Sequence, residues 1–165
     1  MRANRGYTLV ELIITLGIFG ILTAIAIPVF IESNARSKLW TGSEQIGATI
    51  REARLRAVSR NTTFRVVFNC PTTGQLRSLI MTGDPAVDDD AGRCGTTMDG
   101  DSGVVQMPDT ITYDPGTATA LSVTGRGIFT AMGGAIPLVI SVDYGSTVRT
   151  LTVSATGQIT FNDVE

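Results

Sequence analysis

Histidine is absent from the 165 residues. That excludes His-dependent triads, His general bases and His-ligated metals. With only two cysteines, a four-cysteine zinc site is excluded too. Charged residues make up 17% of the chain and its formal net charge is -2, while 43% is hydrophobic. A disordered, solvating chain is the reverse of this, and a nucleic-acid binder driven by bulk charge wants a basic chain. Aromatics are scarce at 6%. Neither a Gly-x-Ser-x-Gly nucleophile elbow nor a phosphate loop occurs, so no catalytic constellation is legible. What the chain does have is glycine, 18 of them, which points to many turns around a modest core. Its length suits one domain with an appendage.

The appendage is N-terminal. After Met1-Arg2-Ala3-Asn4-Arg5-Gly6 the sequence turns apolar, and from Leu12 to Ile31 it carries no charge. A helix of about 20 residues rises about 1.5 Å per residue and spans roughly 30 Å, the thickness of a hydrocarbon core. Three readings compete. A secretory signal fits Arg2, Arg5 and the small-x-small Ala24-Ile25-Ala26, but the apolar stretch is long for one and Glu11 stands at its start. A plain membrane anchor explains the length and leaves Glu11 unexplained, since an intramembrane acid needs a partner or a role. The third reading supplies the partner. A cut between Gly6 and Tyr7 creates an α-amino group that is positive near neutral pH. That amine on one subunit can meet the Glu11 carboxylate of another inside a helical bundle, so two costly charges neutralise one another on assembly. Arg2 and Arg5 on one side are nearly balanced by Arg36 and Lys38 on the other, so charge counting leaves the orientation open.

Gly6-Tyr7-Thr8-Leu9-Val10-Glu11-Leu12 resembles the class III signal of type IV prepilins and type II secretion pseudopilins: a short basic leader, Gly, an aromatic residue, and Glu at the fifth mature position. Tyr7 stands where Phe is usual. Pro28 resembles the proline that the family often carries late in its membrane helix. The resemblance implies cleavage after Gly6 by a prepilin peptidase, N-methylation of Tyr7, a single-pass protein of the bacterial inner membrane with its head in the periplasm, and partners that are other pilins or pseudopilins in a helical filament together with an inner-membrane assembly platform. On this reading residues 1–6 are the leader, 7–31 the transmembrane and assembly helix, 32–61 an amphipathic continuation, and 62–165 a β-rich head.

Within the helix, Pro28 lacks an N–H and is expected to kink or loosen it. Gly17 and Gly20 permit close helix contact, with flexibility as the alternative. Leu39, Ile46, Ile50, Ala53 and Ala57 recur on one helical face, so a helix is expected to run to about Arg60, with a possible break at Thr41-Gly42. Arg51, Arg54, Arg56 and Arg60 flank that face. They read as a solvated surface paired with Glu44 and Glu52, or as a filament contact, ahead of a basic patch. Beyond Asn61 the periodicity becomes two. Strands are expected over 62–69, 76–82, 111–113, 120–123, 127–130, 138–144, 147–154 and 158–162, with turns at Thr72-Thr73-Gly74, Gly145-Ser146 and Ala155-Thr156-Gly157. The class is α+β, with antiparallel sheets covering the apolar stripe of the helix.

Residues 84–109 hold Asp84, Asp88, Asp89, Asp90, Asp99, Asp101 and Asp109 against one base, Arg93. The default expectation is a solvated acidic loop. Asp99 and Asp101 in Asp99-Gly100-Asp101-Ser102-Gly103 are weak candidates for Ca²⁺, because the terminal bidentate Glu of an EF-hand loop is missing. Cys70 and Cys94 flank the start of this region. In an oxidising compartment such a pair usually bridges, contributing about 3–4 kcal/mol in the chain-entropy model; the alternative is two unrelated buried thiols. No cofactor is implied.

The head is also similar to the GspH/FimT branch, the H-type pseudopilins and FimT-type minor pilins. The similarity lies in Ile50-Arg51-Glu52-Ala53-Arg54-Leu55-Arg56-Ala57 leading into Phe64, and in the strand–turn pattern of Leu138–Tyr144, Thr147–Ser154 and Gly157-Gln158-Ile159. It implies a minor pseudopilin near the tip of a type II secretion filament or, alternatively, a minor pilin of a type IV pilus serving pilus biogenesis or DNA uptake. FimT-type DNA binders carry a basic Gly-Arg-x-Arg motif near the C-terminus. The matching stretch here is Gly157-Gln158-Ile159-Thr160, and the chain ends Asn162-Asp163-Val164-Glu165. Phosphate contacts need Lys or Arg, so nucleic acid is not an expected partner. A stand-alone anchored enzyme is the remaining class, and the missing catalytic groups speak against it.

Overall fold

The computed structural model describes residues 8–108 and 110–164. Gly6, Tyr7 and Asp109 lie outside the described residues. One helix, α1 (Leu9–Arg60), is followed by β1 (Phe64–Phe68), β2 (Gln75–Ile80), a single helical turn α2 (Pro85–Asp88), β3 (Val105–Gln106), β4 (Thr112–Asp114), β5 (Ala120–Val123), β6 (Phe129–Met132), β7 (Leu138–Tyr144), β8 (Thr147–Val153) and β9 (Ile159–Val164). The chain divides into two compact units, residues 1–36 and 37–165.

In the first unit, the part of α1 that holds the uncharged run buries none of its side chains. From Leu12 to Ile31 the large apolar residues range from 53% exposed at Ile18 to 73% at Phe30. The helix starts at a cap. Thr8 Oγ1 accepts the Glu11 N–H at 3.2 Å, and the Thr8 carbonyl accepts the Leu12 N–H. Thr8-x-x-Glu11 is the capping-box pattern, with an acid in the positive first turn. Hydroxyls within the run are satisfied locally: Thr15 Oγ1 donates to the Leu12 carbonyl and Thr23 Oγ1 to that of Phe19. The helix continues through Pro28.

In the second unit, two antiparallel sheets share a core with the helix stripe. One has the order β3-β2-β1-β5-β6, the other β4-β7-β8-β9. Leu39, Ile46, Ile50, Ala53 and Ala57 join Phe64, Val66 and Phe68 of β1, Leu121 and Val123 of β5, Ile140 and Val142 of β7, and Leu151 and Val153 of β8 in that core. Alternation puts Phe64, Val66 and Phe68 on one side of β1. The register pairs Phe64 with Ile80 and Phe68 with Leu76. In the second sheet Leu138 faces Val153 and Ile140 faces Leu151.

Two sequence expectations change here. The helix does not break at Thr41-Gly42: it is continuous to Arg60. Gly42 is small because the second sheet comes close. A Cβ there would meet Ile111 Cγ2 at 3.0 Å, and one at Gly47 would meet Phe161 Cζ at 3.1 Å. By contrast, a Cβ at Gly17 or Gly20 would meet nothing within 4 Å. β3 and the turn α2 were not expected from the sequence. Gly157, in the β8–β9 turn, has φ +79, and a Cβ there would run into the Phe129 ring at 2.6 Å. Only glycine fits both that dihedral and that contact.

Candidate functional site

Two loci carry the features singled out in the sequence. The first is the start of α1. Glu11 lies on its first turn with its backbone N–H on Thr8, at the entry to the bare apolar stretch. Pro28 lies seventeen residues further along the same helix and, like its neighbours, is exposed. Thr8, absent from the expected site, is the group that sets the helix start. Its spacing to Glu11 is the signal that could have found it. This helix is long and apolar enough to cross a membrane, and none of its most apolar window is buried. Left in water, each such side chain forgoes about 1.5–3 kcal/mol of burial. An apolar patch of this extent marks a surface that another apolar phase covers.

The second locus is the acidic loop, and it corrects an expectation. It is not simply solvated. Cys70 and Cys94 form a disulfide that ties the loop to the end of β1. Behind the bridge the loop folds around arginines. Arg77 of β2, 4% exposed, donates from Nε to the Ser102 carbonyl. Its Nη1 donates to the carbonyls of Cys94 and Thr96, and its Nη2 to Thr97 Oγ1. Arg93, also 4% exposed, grips Asp101 with two parallel bonds of 2.8 Å.

The Asp101 side chain is fully buried. It also accepts the N–H groups of Ile80 and Met98, at 2.8 Å each. Burial pushes its pKa up, but Arg93 and these two amides outweigh that and hold it below the usual carboxylate value. The same bond raises Arg93. Asp88, at the end of α2, is likewise buried. There the N–H groups of Thr82 and Gly83, the Thr82 hydroxyl and the charge of Arg65 overcome the cost of burial and lower its pKa. Asp84 caps the turn by accepting the Ala86 N–H.

This geometry bears on the calcium expectation at Asp101. Both Asp101 oxygens are already used, each by a guanidinium N–H and a backbone amide, so Asp101 has no open position for a cation. Among the described residues, no group of three or more acids or cysteines could hold a metal ion. Asp99 stands without it.

The helix arginines are surface residues. Arg56 pairs with Glu52 and Arg51 lies 3.6 Å from Glu44. Two buried arginines were missed by the sequence reading: Arg77 of β2, and Arg149, on the inward face of β8 between Val142 across the sheet and Leu151 along the strand. Its Nη1 donates to Ser43 Oγ at 2.6 Å. Its guanidinium lies over the rings of Trp40, at 4.0 Å, and Phe161, at 4.8 Å. An arginine at an inward strand position was the available signal.

Comparison with known proteins agrees with both units. Residues 1–27 match the family described as the prokaryotic N-terminal methylation motif. Over 35 residues the chain is 66% identical to the type IV major pilin protein PilA of Myxococcus xanthus, a stretch covering 21% of this chain and 16% of that one. Over 48 residues it is 42% identical to a fimbrial protein of Pseudomonas aeruginosa, covering 29% and 31% respectively. The matched stretch thus spans between about a sixth and a third of the length of these relatives. In fold, the chain is similar to two crystal structures of the type IV minor pilin FimU of P. aeruginosa. One has a TM-score of 0.52 at 16% identity over 74% of this chain and 91% of that one. The other has a TM-score of 0.53 at 18% identity over 77% and 90%. The chain thus joins a long apolar N-terminal helix, within a stretch that matches the methylation motif, to an antiparallel β-sheet head whose fold is similar to that of FimU.

Proposed function

We propose that the chain is a minor, non-enzymatic filament subunit, cut after Gly6 by a prepilin peptidase, methylated on Tyr7, and held in the inner membrane by α1 with its head in the periplasm until assembly. The observation that carries this reading is Glu11, an acid in the first turn of α1, directly ahead of an apolar stretch, Leu12 to Ile31, that buries none of its side chains within the chain. In a filament the carboxylate meets the Tyr7 amine of a neighbouring subunit, and the apolar side chains exchange lipid for other helices. The assembly platform and the other pilins or pseudopilins are its partners.

Within this reading the Ile50–Ala57 helix end and the late strand pattern support the GspH/FimT branch and a place near the tip of a type II secretion filament. The FimU likeness, which spans about nine-tenths of that protein, supports the second reading, a minor pilin of a type IV pilus. The test is the protein taken from its native host. Mass analysis is expected to find a first residue of N-methylated Tyr7. Glu11→Leu is expected to leave membrane insertion intact and to lower incorporation into sheared filaments by an order of magnitude or more, since a lone buried amine has no counter-charge. A mature chain beginning elsewhere, or normal incorporation of the variant, overturns the reading.

A further inference from the structure

The outer edge of β2 shows what the loop is for. β3 pairs with only the first part of that edge, at Gln75 and Leu76. The next outward-facing backbone groups belong to Ser78 and Ile80, and the loop satisfies all of them. Ser102 Oγ accepts the Ser78 N–H at 2.9 Å, and the Ser102 N–H donates to the Ser78 carbonyl at 2.8 Å. Asp101 Oδ1 accepts the Ile80 N–H at 2.8 Å, and Arg93 Nη2 donates to the Ile80 carbonyl at 3.1 Å. Three of these four partners are side chains. They imitate a neighbouring strand without offering a strand's own far edge, so the sheet ends there. Unpaired edges are templates for another chain, and natural proteins cover them.

We propose that the 84–103 segment is a latch over a cryptic strand-docking edge, and that the occupant of the opened edge is β2 of a second copy. The Ser78 and Ile80 groups are self-complementary. In an antiparallel pair related by a two-fold axis at Leu79, Ser78 of each copy exchanges both bonds with Ile80 of the other, so that each of the four backbone groups left by Ser102, Asp101 and Arg93 finds one new partner. Leu79, 2% exposed under the loop, adds apolar surface to the contact.

The latch has two fastenings. One is the buried Arg93–Asp101 pair. The other is the Cys70–Cys94 bridge, which a dithiol opens: the S–S bond takes two electrons and two protons to become two thiols, and the dithiol closes to its own disulfide. Arg77, with three loop carbonyls on its guanidinium, is the seat on which the loop closes.

The experiment uses the full chain in detergent micelles. Backbone hydrogen exchange is followed at Ser78 and Ile80, with Val66 and Ile140 as core references, for the oxidised protein and for Asp101→Ala treated with dithiothreitol. A Cys70→Ser/Cys94→Ser double variant is run beside it. At low concentration the opened forms are expected to exchange at Ser78 and Ile80 about tenfold faster or more, with the references unchanged. As concentration rises, the same two amides slow again and the mass doubles. Protection of Ser78 and Ile80 that survives opening overturns the proposal. So does joint loss of protection at Val66 and Ile140, which would make loop and core one unit. A dimer that forms while Ser78 and Ile80 still exchange fast places the contact elsewhere and overturns it as well.

Discussion

Residues 9–36 and residues 37–165 invert one another. In the first stretch isoleucines, leucines and phenylalanines stand outside, more than half exposed from Leu12 to Ile31. In the second, Arg77, Arg93, Arg149, Asp88 and Asp101 are buried. Each arrangement is costly in isolation and each is explained by what surrounds it. Exposed apolar side chains need a non-aqueous phase, and the chain does not supply one. Buried charges need partners, and the head supplies them: a carboxylate for Arg93, loop carbonyls for Arg77, a serine hydroxyl and two aromatic rings for Arg149. One stretch is complete only with other molecules, whereas the other completes itself.

That contrast is sharpest if the two are separated. Residues 37–165 contain the whole buried core and the disulfide, so a fragment starting at Ser37 is expected to be monomeric in water without detergent and to melt cooperatively. The full chain is expected to need detergent or lipid. The difference should be all or none in sedimentation. A fragment that precipitates or melts without a transition breaks the claim that the head is self-sufficient.

The next largest effect falls on the loop. Arg93→Ala removes the bidentate partner of the buried Asp101 and leaves it two amides and the more distant Arg77, whose Nη2 lies 3.8 Å away; breaking a buried pair from one side costs about 3–5 kcal/mol. At roughly 3–5 °C per kcal/mol for a head of this size, melting should fall by about 10 °C or more. pH reads the same contacts. Asp88 and Asp101 titrate below their ordinary value in the folded head, while an unfolded Asp titrates at about 3.9. Their stabilisation is therefore complete above that value and is lost as pH falls through the lower folded values. The head should resist mild acid and weaken below about pH 4. Asp101→Asn should flatten that part of the curve. An unchanged acid transition in this variant would mean that Asp101 carries none of it.

The two regions also differ in how much of them the sequence disclosed. Glu11 and the uncharged run are local facts, and they are visible without a fold. So are strands such as β5 and β7, where alternation and turn residues set both ends. The loop was hidden for a physical reason. Its aspartates lie close together in sequence, which reads as a solvated surface. The groups that bury them are Arg77 and the Ile80 amide, which β2 brings in at separations no periodicity encodes, and the Arg93 fork, which the loop's own irregular path turns onto Asp101. β3 is two residues long and owes its existence to the β2 edge. The continuous helix at Gly42 was misjudged because intrinsic propensity favours a break there, while the approach of Ile111 favours a residue without a Cβ.

The smallest effect tests whether the buried cations of the head are interchangeable point charges. Arg149→Lys keeps the charge and most of the stem. It removes the planar group that lies over Trp40 and Phe161 and alters the bond to Ser43. An ammonium is more strongly hydrated and cannot stack, so the loss should be about 1 kcal/mol, the upper end for cation–π contacts at exposed rings, Trp40 being half exposed. That corresponds to a melting shift of about 3–5 °C. Trp40, the only tryptophan, reports the same contact by its emission, which should shift in the folded variant. If melting and emission both stay unchanged, charge alone accounts for Arg149, and the helix and second sheet are held by their apolar surfaces without a directional contribution from the guanidinium.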